Sequence, residues 1–305
     1  SYTSPEWVYV NQHAAGGPGD TVHLVQGQAI YAHTAGEDLP ESHSSYDLDF
    51  DVVPDQPYAY LLSGDPNAYG AGHGNGNYFQ DSDFAKIHVE WETGTVPSFV
   101  WPTEGDRISL WGQWVWDCGH WGQGIVTNQS DPQGSAQQTG DYFLPGQIES
   151  GGQSPAGLRG EQTELHPMQA LIVTRAASWS AATPATETDA FISNDGDHAN
   201  GEAMCAAGHN ADGPGPAPVP NPLGSGTFTY GPDFSACVND PANQHENIAG
   251  RSYEFFVPAP PRPSADAVLT LTEQQMVAGA GYSEQVNAAT DGVDVVVKAT
   301  MAPTD

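Results

Sequence analysis

Positive charge is scarce in this chain. Seven Lys and Arg stand against 38 Asp and Glu, giving a formal net charge of -31 over 305 residues. So acidic a surface repels phosphate backbones and anionic headgroups, which excludes nucleic acid and acidic membranes as partners. It suits a saline medium, where screening removes the self-repulsion, and calcium binding would relieve it too. Long apolar runs are also missing. No stretch of about 18 apolar residues occurs, so no membrane span is expected. Cysteine is limited to three residues. Cys205 and Cys237 flank a segment rich in Gly, Pro and Asn and are expected to close it as a disulfide, leaving Cys118 over. The opening Ser1-Tyr-Thr-Ser-Pro-Glu-Trp7 reads as a processed N-terminus, and with the disulfide it points to a secreted, extracellular protein. No Gly-x-Ser-x-Gly elbow, Walker loop, Rossmann loop or CxxCH haem site is present, which argues against an α/β-hydrolase, a nucleotide enzyme and a c-type cytochrome.

What is present favours strands. The 35 Gly and 25 Pro interrupt helices, while 10% aromatic residues, 8 of them Trp, supply a core that a disordered acidic chain would lack. Period-two alternation marks Val22–Ile30, Lys86–Glu92 and, most clearly, Arg107–Trp116. Apolar runs follow at Leu165–Arg175, Ala190–Ile192 and Tyr253–Val257, and a hairpin is expected from Ala267–Thr272 and Gly292–Ala299. Strands at this spacing, separated by turn clusters, predict an all-β fold: an antiparallel β-sandwich or jelly roll with long loop insertions. The expected organisation is a main domain over 1–263, with insertions at 122–160 and 195–250, and a C-terminal hairpin over 264–305 packed on it. The stiff run Pro258–Pro263 connects the two.

Two motifs at strand ends carry the chemistry. Trp116-Asp-Cys-Gly-His120 follows the strongest strand, and Thr163-Glu-Leu-His-Pro167 opens another. Glu164 and His166 are two residues apart, so an extended chain points both to one face. With His120 and Asp117 from a neighbouring strand end they form an expected site for Zn, Mn or Fe with room for water. The alternative is a hydrogen-bonded polar core without metal. On the strand Lys86–Glu92, His88, Glu90 and Glu92 alternate with Val89 and Trp91. Glu90 is either a further ligand or general base, or part of a solvated strand face, and the solvated face is the favoured reading.

In His43-Ser-Ser-Tyr-Asp-Leu-Asp-Phe-Asp51, three alternating carboxylates either bind calcium or guard an edge strand. Asn194–Glu202 has the composition of a calcium loop but fails the EF-hand spacing, and reads better as a turn. Trp91, Trp111, Trp114 and Trp116 suit sugar stacking, although at least half of them should be core. Paired carboxylates for glycoside hydrolysis are a spatial property that a sequence does not display.

The run Glu104–His120, followed by Thr163–Pro167, resembles a group of uncharacterised bacterial proteins sharing GDR, a strand, W-V-x-D-C-G-H and then T-E-(I/L)-H-P. His43–Glu92 is similar to that group as well. The resemblance implies that the two motifs form one unit, and it implies no activity. Together these readings lead to the expectation of a secreted metal-binding protein, a metal-dependent hydrolase of an extracellular polymer or small molecule. In that reading His120, Glu164, His166 and Asp117 hold the ion and Glu90 or Asp117 handles protons. Two alternatives stand beside it: a calcium-stabilised carbohydrate- or surface-binding module, and a structural protein of a self-assembling extracellular array.

Overall fold

The computed structural model of the chain describes residues 7–10, 22–34, 48–63, 76–78, 85–91, 96–117, 162–177, 180–193, 205, 219–220, 228–229, 237, 248–268, 270, 282–289 and 291–300. Seven strands build the main sheet: β1 (Trp7–Tyr9), β2 (Val22–Thr34), β3 (Leu48–Pro54), β4 (Ile87–Trp91), β5 (Arg107–Asp117), β6 (Gln162–Ala176) and β7 (Thr186–Ile192). Their order is β1-β5-β2-β3-β4-β6-β7, and a further pairing of β5 with β6 closes the five strands β2 to β6 into a barrel. A short ribbon, β8 (Val219–Pro220) with β9 (Phe228–Thr229), stands apart. The last three strands, β10 (Ser252–Pro258), β11 (Tyr282–Ala289) and β12 (Gly292–Ala299), form a second sheet in the order β10-β12-β11.

Alternation explains the closure. Val25 and Ala29 of β2, Leu48, Phe50 and Val52 of β3, Ile87, Val89 and Trp91 of β4, Ile108 and Leu110 of β5, and Leu165, Leu171 and Val173 of β6 pack into one buried cluster. They occupy every second position on each side of β6's irregular stretch, so one face of each strand turns inward and the barrel is filled by side chains. The residues between them face outward. Part of that outer wall is covered by the second sheet. Ala170 and Ile172 of β6, backed by Trp111 of β5, pack against Tyr253, Phe255, Val293 and Val295. Trp111 meets Tyr253 edge-on with ring centroids 5.6 Å apart, and the Tyr253 hydroxyl donates to Gln169 Oε1 at 3.1 Å.

The longest strand, β6, holds the closure together. It gives one edge to β5, antiparallel from Arg107↔Thr174 to Asp117↔Gln162. The other edge is divided between β4, parallel at His88↔Glu164 and Val89↔Leu165, and β7, antiparallel from Ala170 to Ala176. The β5–β6 register shifts on both sides of Gly112. A Cβ on Gly112 would sit 3.1 Å from both the Leu165 side chain and the Pro167 carbonyl, so a side chain there would push the strands apart where β6 bends.

The all-β expectation holds. Over β2–β6, however, the main sheet closes on itself instead of remaining one open layer of a sandwich, because β6 is long enough to pair with β5 and still reach β4. In the C-terminal hairpin, β12 lies where expected, but its partner is Tyr282–Ala289, and Ala267, Val268 and Thr270 are outside strands. The 258–263 run does not isolate the hairpin, since β10 pairs with β12 along its full length. Cys205 and Cys237 are bonded across 32 residues of sequence. Cys118, the 122–160 insertion, the 194–202 segment and most of 195–250 lie outside the described residues.

Phe50, fully buried at the centre of the interior, gives a direct test of the barrel core. Phe50→Ala should lower unfolding free energy by about 3–5 kcal/mol in urea denaturation. A loss under about 1 kcal/mol would mean that β3 does not turn Phe50 into a packed interior.

Candidate metal centre

The outward positions of three adjacent strands carry a cluster of ionisable side chains. β3 contributes Asp49 and Asp51, β4 contributes His88 and Glu90, and β6 contributes Glu164 and His166. Each pair is spaced i, i+2, so strand parity places both members on the outer face, opposite Phe50, Val89 and Leu165. The register then sets the pairs side by side: Asp49 across from Glu90, Asp51 from His88, and His88 from Glu164.

His88 is clamped at both ring nitrogens. Its Nδ1 is 2.9 Å from Asp51 Oδ1 and its Nε2 is 2.8 Å from Glu90 Oε1. Lys86 Nζ donates to the other oxygen of Asp51 at 2.5 Å. Deeper in the wall, His166 Nδ1 lies 3.1 Å from Glu164 Oε1 and 3.4 Å from Glu90 Oε2. Glu90 therefore touches both imidazoles, one with each carboxylate oxygen. Burial is graded across the cluster. His166 and Glu164 are 0% and 2% exposed, Asp49 and Asp51 are buried, and the side chains of Lys86 and His88 reach solvent at 35% and 28%.

Ligand atoms of Asp49, His88 and Glu90 all lie within 4.8 Å of one another, close enough to hold a metal ion. The surrounding charges favour a cation. Burial disfavours the charged form of His88, but the hydrogen bonds and negative charges of Asp51 and Glu90 outweigh it and raise its pKa well above the ordinary 6.5. Burial likewise opposes ionisation of Asp51. The hydrogen bond and charge of His88, with those of Lys86, more than offset it and hold that carboxyl below 3.8. The carboxylates of Asp51 and Glu90 thus favour a proton on His88, and a cation held by Asp49, His88 and Glu90 would have to displace it.

One residue that sequence reasoning did not single out fixes the strands at this point. Asn77, in the short turn Gly76–Tyr78, is 4% exposed. Its amide donates to the carbonyls of Lys86 at 2.9 Å and Thr163 at 2.7 Å, and its oxygen accepts from the backbone N–H groups of Ser63 and Thr163 at 2.9 and 3.0 Å. Asn77 therefore ties the start of β4 to the start of β6, just ahead of His88 and Glu164. Only the Asn-rich turn composition of Gly72–Asn77 marks it in the sequence.

The structure brings Glu164, His166 and Glu90 together among the expected site residues. It adds Asp49, Asp51 and His88 to them. His120 lies outside the described residues. Asp117 ends β5 opposite Gln162, two register positions beyond Val115↔Glu164, and only its backbone is described. The favoured solvated-face reading of His88 and Glu90 is corrected, because both are engaged with neighbouring strands. The guarded-edge reading of Asp49 and Asp51 is corrected too: β3 has β2 on one side and β4 on the other, so it is not an edge. Asp47 and Glu92 lie outside the described residues. Trp91 is core, Trp111 and Trp114 are partly buried in packed clusters, and of Trp116 only the backbone is described. No helix among the described residues is long and apolar enough to cross a membrane. Comparison with family models, curated proteins and solved structures finds no match.

Two measurements follow. Asn77→Ala should cost about 2–4 kcal/mol of stability, since it leaves buried backbone groups of Ser63, Lys86 and Thr163 without their partner. Amide exchange in β4 should rise with it, and unchanged exchange there would contradict the tie. In chelator-treated protein, the His88 ring resonances should titrate above pH 6.5. Its stabilising contribution is complete below 6.5 and fades as pH rises through the higher folded value. That of Asp51 is complete above 3.8 and fades as pH falls through its lower folded value. A His88 titration midpoint below 6.5 would refute the clamp.

Proposed function

We propose that this is an extracellular protein that binds a divalent transition-metal ion on its barrel wall and uses it to activate water for hydrolysis of an extracellular polymer. The observation that carries the proposal is the convergence of Asp49, His88 and Glu90 within ligating distance of one another. Asp51 supports it by holding His88 Nδ1, which leaves Nε2 to the ion in the usual carboxylate–histidine–metal arrangement. A histidine among the donors favours Zn, Mn or Fe over calcium, whose sites are built from oxygens. Three protein ligands leave positions for water, and His88 and Glu90 reach solvent, so that water is accessible. A divalent ion held by Asp49, His88 and Glu90 would supply the acidity that activates water as a nucleophile. In this reading Glu90, which the sequence suggests as a proton carrier, serves as a ligand. The Cys205–Cys237 bond supports the oxidising, extracellular setting in which such a polymer would be met.

Elemental analysis of purified protein should return a transition metal. Chelation should abolish hydrolytic activity, and the same metal should restore it. Asp51→Asn should weaken affinity by about 10–100-fold. Bound calcium alone would favour the stabilised binding module, and the absence of any tightly bound metal would sink both readings.

A further inference from the structure

We propose that Tyr60, Trp114 and His23 form a stacking subsite for a neutral, β-linked glycan chain at one mouth of the barrel. The 3-10 helix Gln56–Leu61 leaves the end of β3 and lies over that mouth. With three residues per turn, positions i and i+3 share a face. Tyr58 and Leu61 therefore turn to the core, where Leu61 is fully buried, and Pro57 and Tyr60 turn to solvent. At 55% exposure, Tyr60 is the most exposed aromatic ring among the described residues, yet it is held in place. It meets Trp114 edge-on with centroids 6.0 Å apart, and its hydroxyl lies 3.2 Å from His23 Nδ1. His23 closes the group at 4.9 Å from Trp114. Trp114 in turn donates from Nε1 to the Leu61 carbonyl at 3.2 Å, and the Thr163 hydroxyl donates to the same oxygen. Thr163 directly precedes Glu164, so the three rings are fastened at the end of the barrel where β4 and β6 begin their polar wall.

The chemistry of the patch selects its occupant. Rings already fixed by their neighbours lose little freedom on binding, so a planar ligand face can settle on Tyr60 at low entropic cost. Polar groups stand at the edge of that ring: its own hydroxyl, the His23 imidazole and the exposed side chain of Gln56. A pyranose has the matching form, with C–H groups on its flat faces and hydroxyls around its rim. β-linked sugars with equatorial hydroxyls show such a face on both sides and run as extended chains. An apolar protein partner would instead need aliphatic surface around the ring. Charge narrows the choice further. The acidic chain repels uronate and sulfated polymers, and Asp55, next to the helix, is taken up by Arg107, which leaves a neutral chain as the favoured ligand. This names the class of polymer for the proposed hydrolase. That role in turnover rests on the metal reading, whereas the binding does not.

The test is calorimetry and saturation-transfer NMR on chelator-treated, full-length protein with cellohexaose, chitohexaose and xylohexaose. At least one should bind, with saturation passing from protein aromatic protons to sugar C–H groups. Tyr60→Ala should weaken that binding by about tenfold or more. Tyr60→Leu, which keeps apolar bulk but has no planar face, should weaken it likewise and serves if the alanine variant fails to fold. Phe99→Ala removes an exposed ring from the short helix between β4 and β5, at the opposite end of the barrel, and should leave binding unchanged. Binding of none of the three sugars overturns the subsite. So does a Tyr60→Leu protein that binds as tightly as the wild type, or an equal loss in Phe99→Ala. Self-association of the chain that Tyr60→Leu abolishes would assign the ring to a second copy and overturn it too. The two readings fail separately. Glycan binding through Tyr60 in a protein that carries no metal as purified sinks the hydrolase and leaves the subsite, and a tightly bound transition metal in a chain that takes no glycan does the reverse.

Discussion

The parallel pairing of β4 with β6 is the constraint on which the rest depends. It is the one parallel contact among the described strands, and its register comprises only His88↔Glu164 and Val89↔Leu165. Without it the sheet would stay open and the interior around Phe50 and Trp91 would lose a wall. The same two residue pairs serve both sides. Val89 and Leu165 turn inward to the core, while His88 and Glu164 turn outward to the polar cluster. So short a parallel contact supplies little hydrogen bonding of its own. Asn77 supplements it by bonding to the backbone on both strands. The bend at Gly112 lets β6 keep pairing with β5 while its first residues reach β4. Core closure and site assembly are therefore one event.

Charge follows from that geometry. In a chain this acidic, most carboxylates can relax into solvent, but those of the wall cannot, because β3 is central and β6 is paired on both edges. Three of the basic side chains in the described structure stand on carboxylates. Lys86 lies on Asp51, Arg107 on Asp55, and Arg175 between Asp106 and Asp189. At the wall, Asp49, Asp51, Glu90 and Glu164 gather around Lys86, His88 and His166. The hydrogen bonds and charges of Asp51 and Glu90 favour the protonated form of His88 there. A cation held by Asp49, His88 and Glu90 would depend on the same strand pairings that hold β3, β4 and β6 together.

Much of the fold was legible because alternation is a local property. β2, β4, β5, β6, β10 and β12 each announce themselves through inward Val, Ile, Leu and aromatic residues. The pairing of Glu164 with His166 was legible for the same reason, since parity needs no partner strand. What failed was anything that depends on neighbours. Asp49-Phe-Asp51 reads as a charged edge because aspartate is uncommon inside a sheet, and nothing local reveals that β2 and β4 flank it. His88 and Glu90 read as a solvated face because antiparallel sheets often have one, and only the arrival of β6 alongside β4 buries that face. β11 was missed because Tyr282–Ala289 is rich in polar residues and borrows its stability from β12. Barrel closure was illegible for a further reason: it depends on the length and bend of a single strand.

The cluster has a compact sequence form once its register is known. Asp-x-Asp, His-x-Glu and Glu-x-His lie on three neighbouring strands, each i, i+2 pair flanked by an inward apolar residue. Such pairs are common singly, and any one of them is weak evidence. Their joint appearance is informative because each strand's apolar residues independently fix which face its polar pair must take. Three strands locked by a shared core then hold six donors with little freedom, which is the condition for a site to be organised before its ligand arrives. A loop-borne set of the same residues would have to be ordered by the ion itself and would lose part of the binding energy in doing so. The rigid wall thus accounts for why a barrel core and a polar cluster are built from the same strands.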